Sequence, residues 1–236
     1  MKSRSRLVLC LLTLVVMAGC ALTQVSNRQV LVTGNIPRPG NIWVYDFATT
    51  PADVPADSGF ASQVAEPATP QTDEQIAQGR KVGAELAAQL VEQIRAMGMP
   101  AAQASAGTTP SLNDLVIRGY LLSVNAGSAA ERVAIGFGAG GSELRAAVEG
   151  FQVTAQGLRK LGSGTVDSGG GKTPGAALGA VTFLATANPA GLIVSTGVKA
   201  YGEASGISTI EGRATAAAKE IADQIKPRFQ QQGWIQ

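Results

Sequence analysis

The sequence contains no histidine. That excludes Ser–His and Cys–His nucleophilic pairs and every imidazole-ligated metal centre at once. Cysteine is nearly absent too: Cys10 and Cys20 are the only two. Both fall in the first twenty residues, so no disulfide framework is available to the rest of the chain. Aromatic residues make up 5% and charged residues 15%, and the charged ones form no constellation. Paired carboxylates, lysine and tyrosine are what is left for catalysis. On composition the chain reads as a non-enzyme with no cofactor and no metal site.

What is present begins with a leader. Lys2, Arg4 and Arg6 are a basic start, and Leu7 to Val16 is an apolar run too short to span a bilayer, which takes about twenty residues. Met17-Ala18-Gly19-Cys20 then places small side chains directly before a thiol. A lipoprotein peptidase needs that arrangement, with the thiol at the first position after the cut to carry lipid. The expectation is a signal peptide over residues 1–19, cleavage before Cys20, and acylation of Cys20, palmitate included. Two or more chains on one residue attach durably, whereas one is marginal. Ala21 follows, rather than the Asp that retains lipoproteins in the inner membrane. This points to the periplasmic face of a Gram-negative outer membrane. The leader removes three of the 19 basic residues and none of the 17 acidic ones. The mature chain is therefore close to neutral, and the precursor's pI near 8.6 is no sign of nucleic-acid binding.

Beyond Cys20, residues 20–35 read as a lipidated tether and 36–236 as a single periplasmic α+β domain. Ile36-Pro37-Arg38-Pro39-Gly40 makes a stiff turn. Asn41 to Phe47 alternates as a strand with two apolar faces, interrupted by Asp46, which suits a turn cap at the strand end. Ala48 to Gln71, with four prolines and no Lys or Arg, reads as a long exposed loop. Thr72 and Gln75 match a capping box, opening a helix over Asp73–Met97. Its stripe runs through Ile76, Gly79, Gly83, Leu86, Leu90, Ile94 and Met97, and the two glycines would admit close approach to a sheet. A polar loop follows. Strands are expected at Leu115–Val124, Glu143–Gln156 and Leu158–Asp167, with a turn at Gly157. A C-terminal helix is marked by Ser208 and Glu211, with Pro227 expected to kink or end it. Trp234 should fold back on the body. The fold expected is a mostly antiparallel sheet against two helices.

One stretch departs from this pattern. Thr173 to Val198 has no charged residue and is rich in Gly, Ala and Thr. With Pro189 interrupting it, two short helices fit, forming a helical insertion over 173–201. Gly175 and Gly179, at i and i+4, suit close helix contact within the domain, between copies, or at a membrane. Two nucleotide-like motifs carry less. Gly136-Phe137-Gly138-Ala139-Gly140-Gly141 has dinucleotide spacing but lacks the strand–helix setting that makes it work. Gly171-Lys172-Thr173 resembles the end of a phosphate loop, yet Val166 stands where its first glycine must be.

Ile36–Gly40 with Ile42-Trp43-Val44-Tyr45-Asp46-Phe47 resembles the start of a bacterial lipoprotein family catalogued as domain of unknown function 4410. Gly136 to Arg145, Asn188-Pro189-Ala190-Gly191 and the ending through Gly233-Trp234 are similar to it as well. The resemblance brings no established activity and no catalytic residues. More remotely, the order strand, helix, strands, helix is similar to small periplasmic lipoproteins that serve as adaptors or assembly subunits, including curli-secretion and synthase-activator types.

The leading expectation is a membrane-anchored, non-enzymatic envelope protein that binds an envelope partner or associates with itself. One alternative is a periplasmic enzyme or small-ligand carrier using carboxylates such as Asp46 or Glu143. Another is a subunit of an oligomeric membrane assembly, with the uncharged insertion entering the bilayer.

Overall fold

The computed structural model describes residues 23–61, 71–105, 107–125, 142–169, 194–195 and 209–236. The elements run β1 (Thr23–Val30), β2 (Ile42–Tyr45), α1 (Asp73–Ala96), β3 (Ala101–Ala104), β4 (Leu115–Asn125), β5 (Glu143–Thr154), β6 (Gly157–Gly169), β7 (Val194–Ser195) and α2 (Ile210–Gln231). One sheet takes the order β1-β6-β5-β4-β2-β3, and the two-residue β7 pairs with β4. Both helices lie on one face of this sheet, α1 over β2–β4 and α2 over β1, β5 and β6, and they pack on each other. The class is α+β.

The sheet is mixed. β1-β6, β6-β5 and β5-β4 are antiparallel, while β4-β2, β2-β3 and β4-β7 are parallel. The reason lies in the connections. β5 and β6 are joined by a tight turn, in which Gly157 has a φ of +110°, and tight turns return strands antiparallel. β2 and β3 are joined through α1, which carries the chain back over the sheet so that both strands run the same way. β3 is Ala-Ala-Gln-Ala, poor in strand-forming residues, and falls where a polar loop was expected.

The helix α1 starts as its capping box requires. Gln75 N donates to Thr72 Oγ1 at 3.2 Å, and Thr72 N to Gln75 Oε1 at 2.9 Å. Gly79, Gly83, Leu86, Leu90 and Ile94 are buried along the expected stripe. A Cβ on Gly83 would stand 2.4 Å from Phe47 O, and one on Gly119 of β4 2.2 Å from the Phe47 ring. Phe47, 2% exposed, thus sits where two missing side chains let helix and strand close upon it.

Helix α2 is capped by Thr209, whose side chain accepts from Gly212 N at 3.0 Å. The cap lies one residue beyond the expected Ser208, which is outside the described residues. Pro227 does not end this helix, which runs on to Gln231. The missing amide leaves one carbonyl without its helical donor, while the buried Phe229 and Trp234, with ring centroids 5.4 Å apart, hold the last turn to the core.

Two further expectations change. Thr23–Val30, read as part of the tether, is an edge strand paired with β6, from Thr23↔Ser168 to Val30↔Gly162. Only Val25 in its first half is apolar, which leaves little alternation to detect. Of the loop Ala48–Gln71, the part before residue 62 folds back on the sheet: Pro51–Asp53 is a 3₁₀ turn, and Ser58 and Gly59 bond to Glu149 on β5.

Candidate functional site

The face of the sheet away from the helices carries most of the charged chemistry. Glu149 is 1% exposed and accepts from Lys160 Nζ at 2.5 Å, Ser58 Oγ at 2.5 Å and Gly59 N at 3.1 Å. Arg118 pairs with Asp57 at 2.8 Å, and its guanidinium lies over Tyr45 and Phe151, 5.7 and 5.6 Å from the ring centres. Lys160 also stands over Phe60. These contacts latch residues 57–60 across β4, β5 and β6. A buried carboxylate with three donors of its own is a structural latch, since its lone pairs are spent on the protein. Further along the same face, Arg145 pairs with Asp167 at 2.8 Å, and burial pushes the Asp167 carboxyl above its ordinary range against the pull of Arg145 and a hydrogen bond from Ser26.

The two carboxylates considered for catalysis are not brought together. Asp46 is exposed beyond the end of β2 and accepts from Gln103 Nε2 at 2.5 Å. It stands between Val44, level with Ile117, and Ala48, level with Tyr120. Glu143 is level with Asn125, at least about 17 Å further along the sheet at about 3.4 Å per residue. Among the described residues no group of three or more acidic or cysteine side chains could hold a metal. Cys20, Gly175, Gly179 and Pro189 lie outside the described residues, as do the glycine-rich motif at 136–141 and Gly171–Thr173. The 173–201 insertion lies outside them too, apart from Val194–Ser195, which form strand β7 where a helix was expected.

The register brings several chain ends to one edge of the molecule. Thr23 pairs with Ser168, Gly169 with Glu143, and Asn125 with both Glu143 and Ser195. The connections 126–142, 170–193 and 196–209 all leave from this end of the sheet, as does the chain preceding β1. Arg213, 3% exposed on the first turn of α2, donates to Ser142 Oγ at 3.2 Å. Its Nη1 finds no acceptor among the described residues, and burial lowers its pKa despite the charge of Glu143. Sequence reading passed over Arg213, although its place three residues after Ile210 puts it on the buried stripe.

A cavity of about 180 Å³ opens between β5–β6 and α2. Gly150 and Gly164 form part of its floor, and Ile221, Phe229 and Trp234 part of its roof. Apart from Gly150 itself and its chain neighbours, no atom of the described residues lies within 4 Å of where a Gly150 Cβ would sit. Among the described residues, its charged lining consists of Arg28 and Arg228. No signal in the sequence marked this space, because it arises from side chains that are missing.

Residues 42–187, more than half of the chain, match the model of the family described as Domain of unknown function (DUF4410). The chain belongs to this family. No curated protein matches it. Two solved structures from Paraburkholderia phytofirmans are similar in outline. A leucine-to-methionine variant of the PelC dodecamer has 11% identity and a TM-score of 0.40, covering 86% of this chain and 97% of that one. A second PelC dodecamer has 10% identity and a TM-score of 0.35, covering 63% and 82%. Scores this low do not bear on what this DUF4410 chain binds or assembles into. No helix among the described residues is long and apolar enough to cross a membrane.

Proposed function

We propose that this DUF4410 protein is an envelope lipoprotein, cleaved before Cys20 and acylated there, that acts as a non-enzymatic binding or assembly component at the outer membrane. The observation that carries the reading is the convergence at one end of the sheet. Thr23 of β1 lies three residues after Cys20, and three residues reach about 11 Å at most. The sheet end holding Thr23 is also the end from which the uncharged run containing Gly175, Gly179 and Pro189 departs. An anchored chain would therefore hold its least charged segment toward the bilayer, available to lipid or to a second membrane-bound protein. The alternative of a two-carboxylate enzyme loses support from the separation of Asp46 and Glu143.

Labelling with radioactive palmitate tests the anchor. The wild type is expected to take up label and to sediment with outer-membrane fractions, and Cys20→Ser to do neither. Label retained in Cys20→Ser would refute the anchor. Light scattering on Cys20→Ser, with and without residues 173–198, tests the assembly role. Assembly lost on deletion while the circular dichroism of the sheet persists supports an association segment. A deletion that unfolds shows those residues to be core and ends that reading.

A further inference from the structure

We propose that the cavity between β5–β6 and α2 binds a free single-chain amphiphile: an acyl chain of about seven carbons, ended by an anionic group. The inference is independent of the lipid anchor. Three observations combine. The walls are largely apolar, with Ile221, Phe229 and Trp234 lining the cavity together with Val25 and the open position at Gly150. The volume, about 180 Å³, slightly exceeds the roughly 150 Å³ of an engineered apolar cavity that stays dry and takes benzene, so about seven carbons fit by proportion. Among the described residues the charge at the wall has one sign: Arg28 and Arg228 line the cavity and no described Asp or Glu does.

Neither arginine is within ion-pair distance of a carboxylate among the described residues. Arg28 is exposed and donates to the neutral Gln224 at 3.1 Å. Arg228 donates to the carbonyls of Val32 and Gly34 at 2.9 and 2.7 Å, which fixes the segment after β1 beside α2 and keeps positive charge at the wall. A guanidinium bonded to neutral acceptors keeps its full charge to offer a carboxylate or phosphate. Apolar depth with a few placed polar groups is the ordinary make-up of a small-molecule site. A neutral chain would leave the arginines unused, and a cationic one would be repelled.

The structure supplies its own reporter. The chain has two tryptophans: Trp234 lines the cavity, and Trp43 hydrogen-bonds to Asp114 at 2.9 Å elsewhere. In a Trp43→Phe background, 8-bromooctanoate should quench Trp234 fluorescence saturably, with unlabelled octanoate competing. Octanol and octylamine should compete weakly. Arg28→Gln should weaken octanoate by about two- to fivefold, the range of an exposed ion pair, and leave octanol unchanged. Gly150→Leu places its Cβ in open space and its branch in the cavity, and should weaken binding at least about tenfold while its circular dichroism stays native. If Trp43→Phe or Gly150→Leu fails to fold, the rise in wild-type melting temperature with octanoate reads the same binding. Linear quenching without saturation, equal binding of octylamine, or undiminished binding by folded Gly150→Leu would overturn the proposal. So would quenching only by vesicles of brominated phosphatidylglycerol, which places the interaction in the bilayer.

Discussion

Replacing Lys160 should cost more than replacing the carboxylate it pairs with. The asymmetry follows from burial. Glu149 has a side chain 1% exposed, whereas that of Lys160 is 27% exposed. Lys160→Met strands a carboxylate inside the protein with only the Ser58 hydroxyl and the Gly59 amide as donors. Breaking a buried pair in this way costs about 3–5 kcal/mol. Glu149→Met removes the buried charge along with its bonds. The Lys160 ammonium then turns to water, and the loss is that of three hydrogen bonds to a charged group set against relief of its desolvation, about 1–3 kcal/mol net. In the double variant Lys160→Met with Glu149→Met, no charge is stranded. Its stability should fall within about 1 kcal/mol of Glu149→Met alone, a coupling of about 2 kcal/mol or more. Urea denaturation of the four proteins gives the cycle. Proteolysis of the native forms should show residues 57–60 cut faster in every variant, since the latch is released in each. The reasoning fails if Lys160→Met costs no more than Glu149→Met, or if the two losses simply add.

Gly83→Ala should lower stability by about 1–2 kcal/mol: helix propensity favours alanine by up to about 1 kcal/mol, but its methyl meets Phe47 O and must drive α1 off β2. Urea midpoints check this, and a gain would show the contact to be loose. Pro227→Ala restores an amide donor inside α2 and should stabilise by about 1–3 kcal/mol, a rise of about 2–4 °C in Tm per kcal/mol for a chain of this size. Asp167 gives a pH dependence with a definite sign. Its folded pKa lies above the unfolded value of 3.8, so the native state binds more protons and stability falls as pH rises from 3.8 through the folded pKa. Asp167→Asn should therefore gain relative to the wild type between pH 4 and pH 7 in thermal melts; a difference that shrinks over that range would contradict the assignment.

Sequence periodicity located what local chemistry dictates. The Thr72 capping box, the stripe from Gly79 to Ile94, and the long alternating strands β4, β5 and β6 can each be read within one segment, since hydrogen bonds and side-chain spacing along a single element specify them. The elements that escaped depend on distant partners. β1 has one apolar residue in its paired first half and becomes a strand because β6 offers an edge. β3 is nearly all alanine and is held by parallel pairing with β2 at Ile42↔Ala101. For the candidate sites the division is the same. The absence of histidine is visible at once, and the scarcity of acidic clusters nearly so. Glu149 gave no local sign, because its donors Ser58 and Gly59 come from a segment about ninety residues earlier. The cavity is less legible still: Gly150 and Gly164 lie in two separate strands and line one space only once α2 is laid across them.

The anchor and the cavity constrain one another geometrically. If Cys20 carries lipid, Thr23 stays within about 11 Å of the acylated sulfur's backbone position. Along β1 the chain moves away from that end: Thr23 is level with Ser168, whereas Gln29 is level with Ser163 and Val30 with Gly162. Arg28 falls in the irregularity between Ser26 and Gln29, level with the stretch between Thr165 and Ser163, about four strand positions or about 14 Å from the level of Thr23. When the strand stands upright on the membrane, the arginines and the cavity are lifted beyond the headgroups, and an acyl chain must leave the bilayer to reach them. When the strand lies flat, Arg28 meets the anionic surface itself and phosphate competes for it. The two poses differ in salt dependence on the anchored protein. Upright, octanoate affinity is the same on neutral and anionic vesicles. Flat, it is weaker on anionic vesicles and recovers as salt screens the surface over a Debye length of about 8–10 Å.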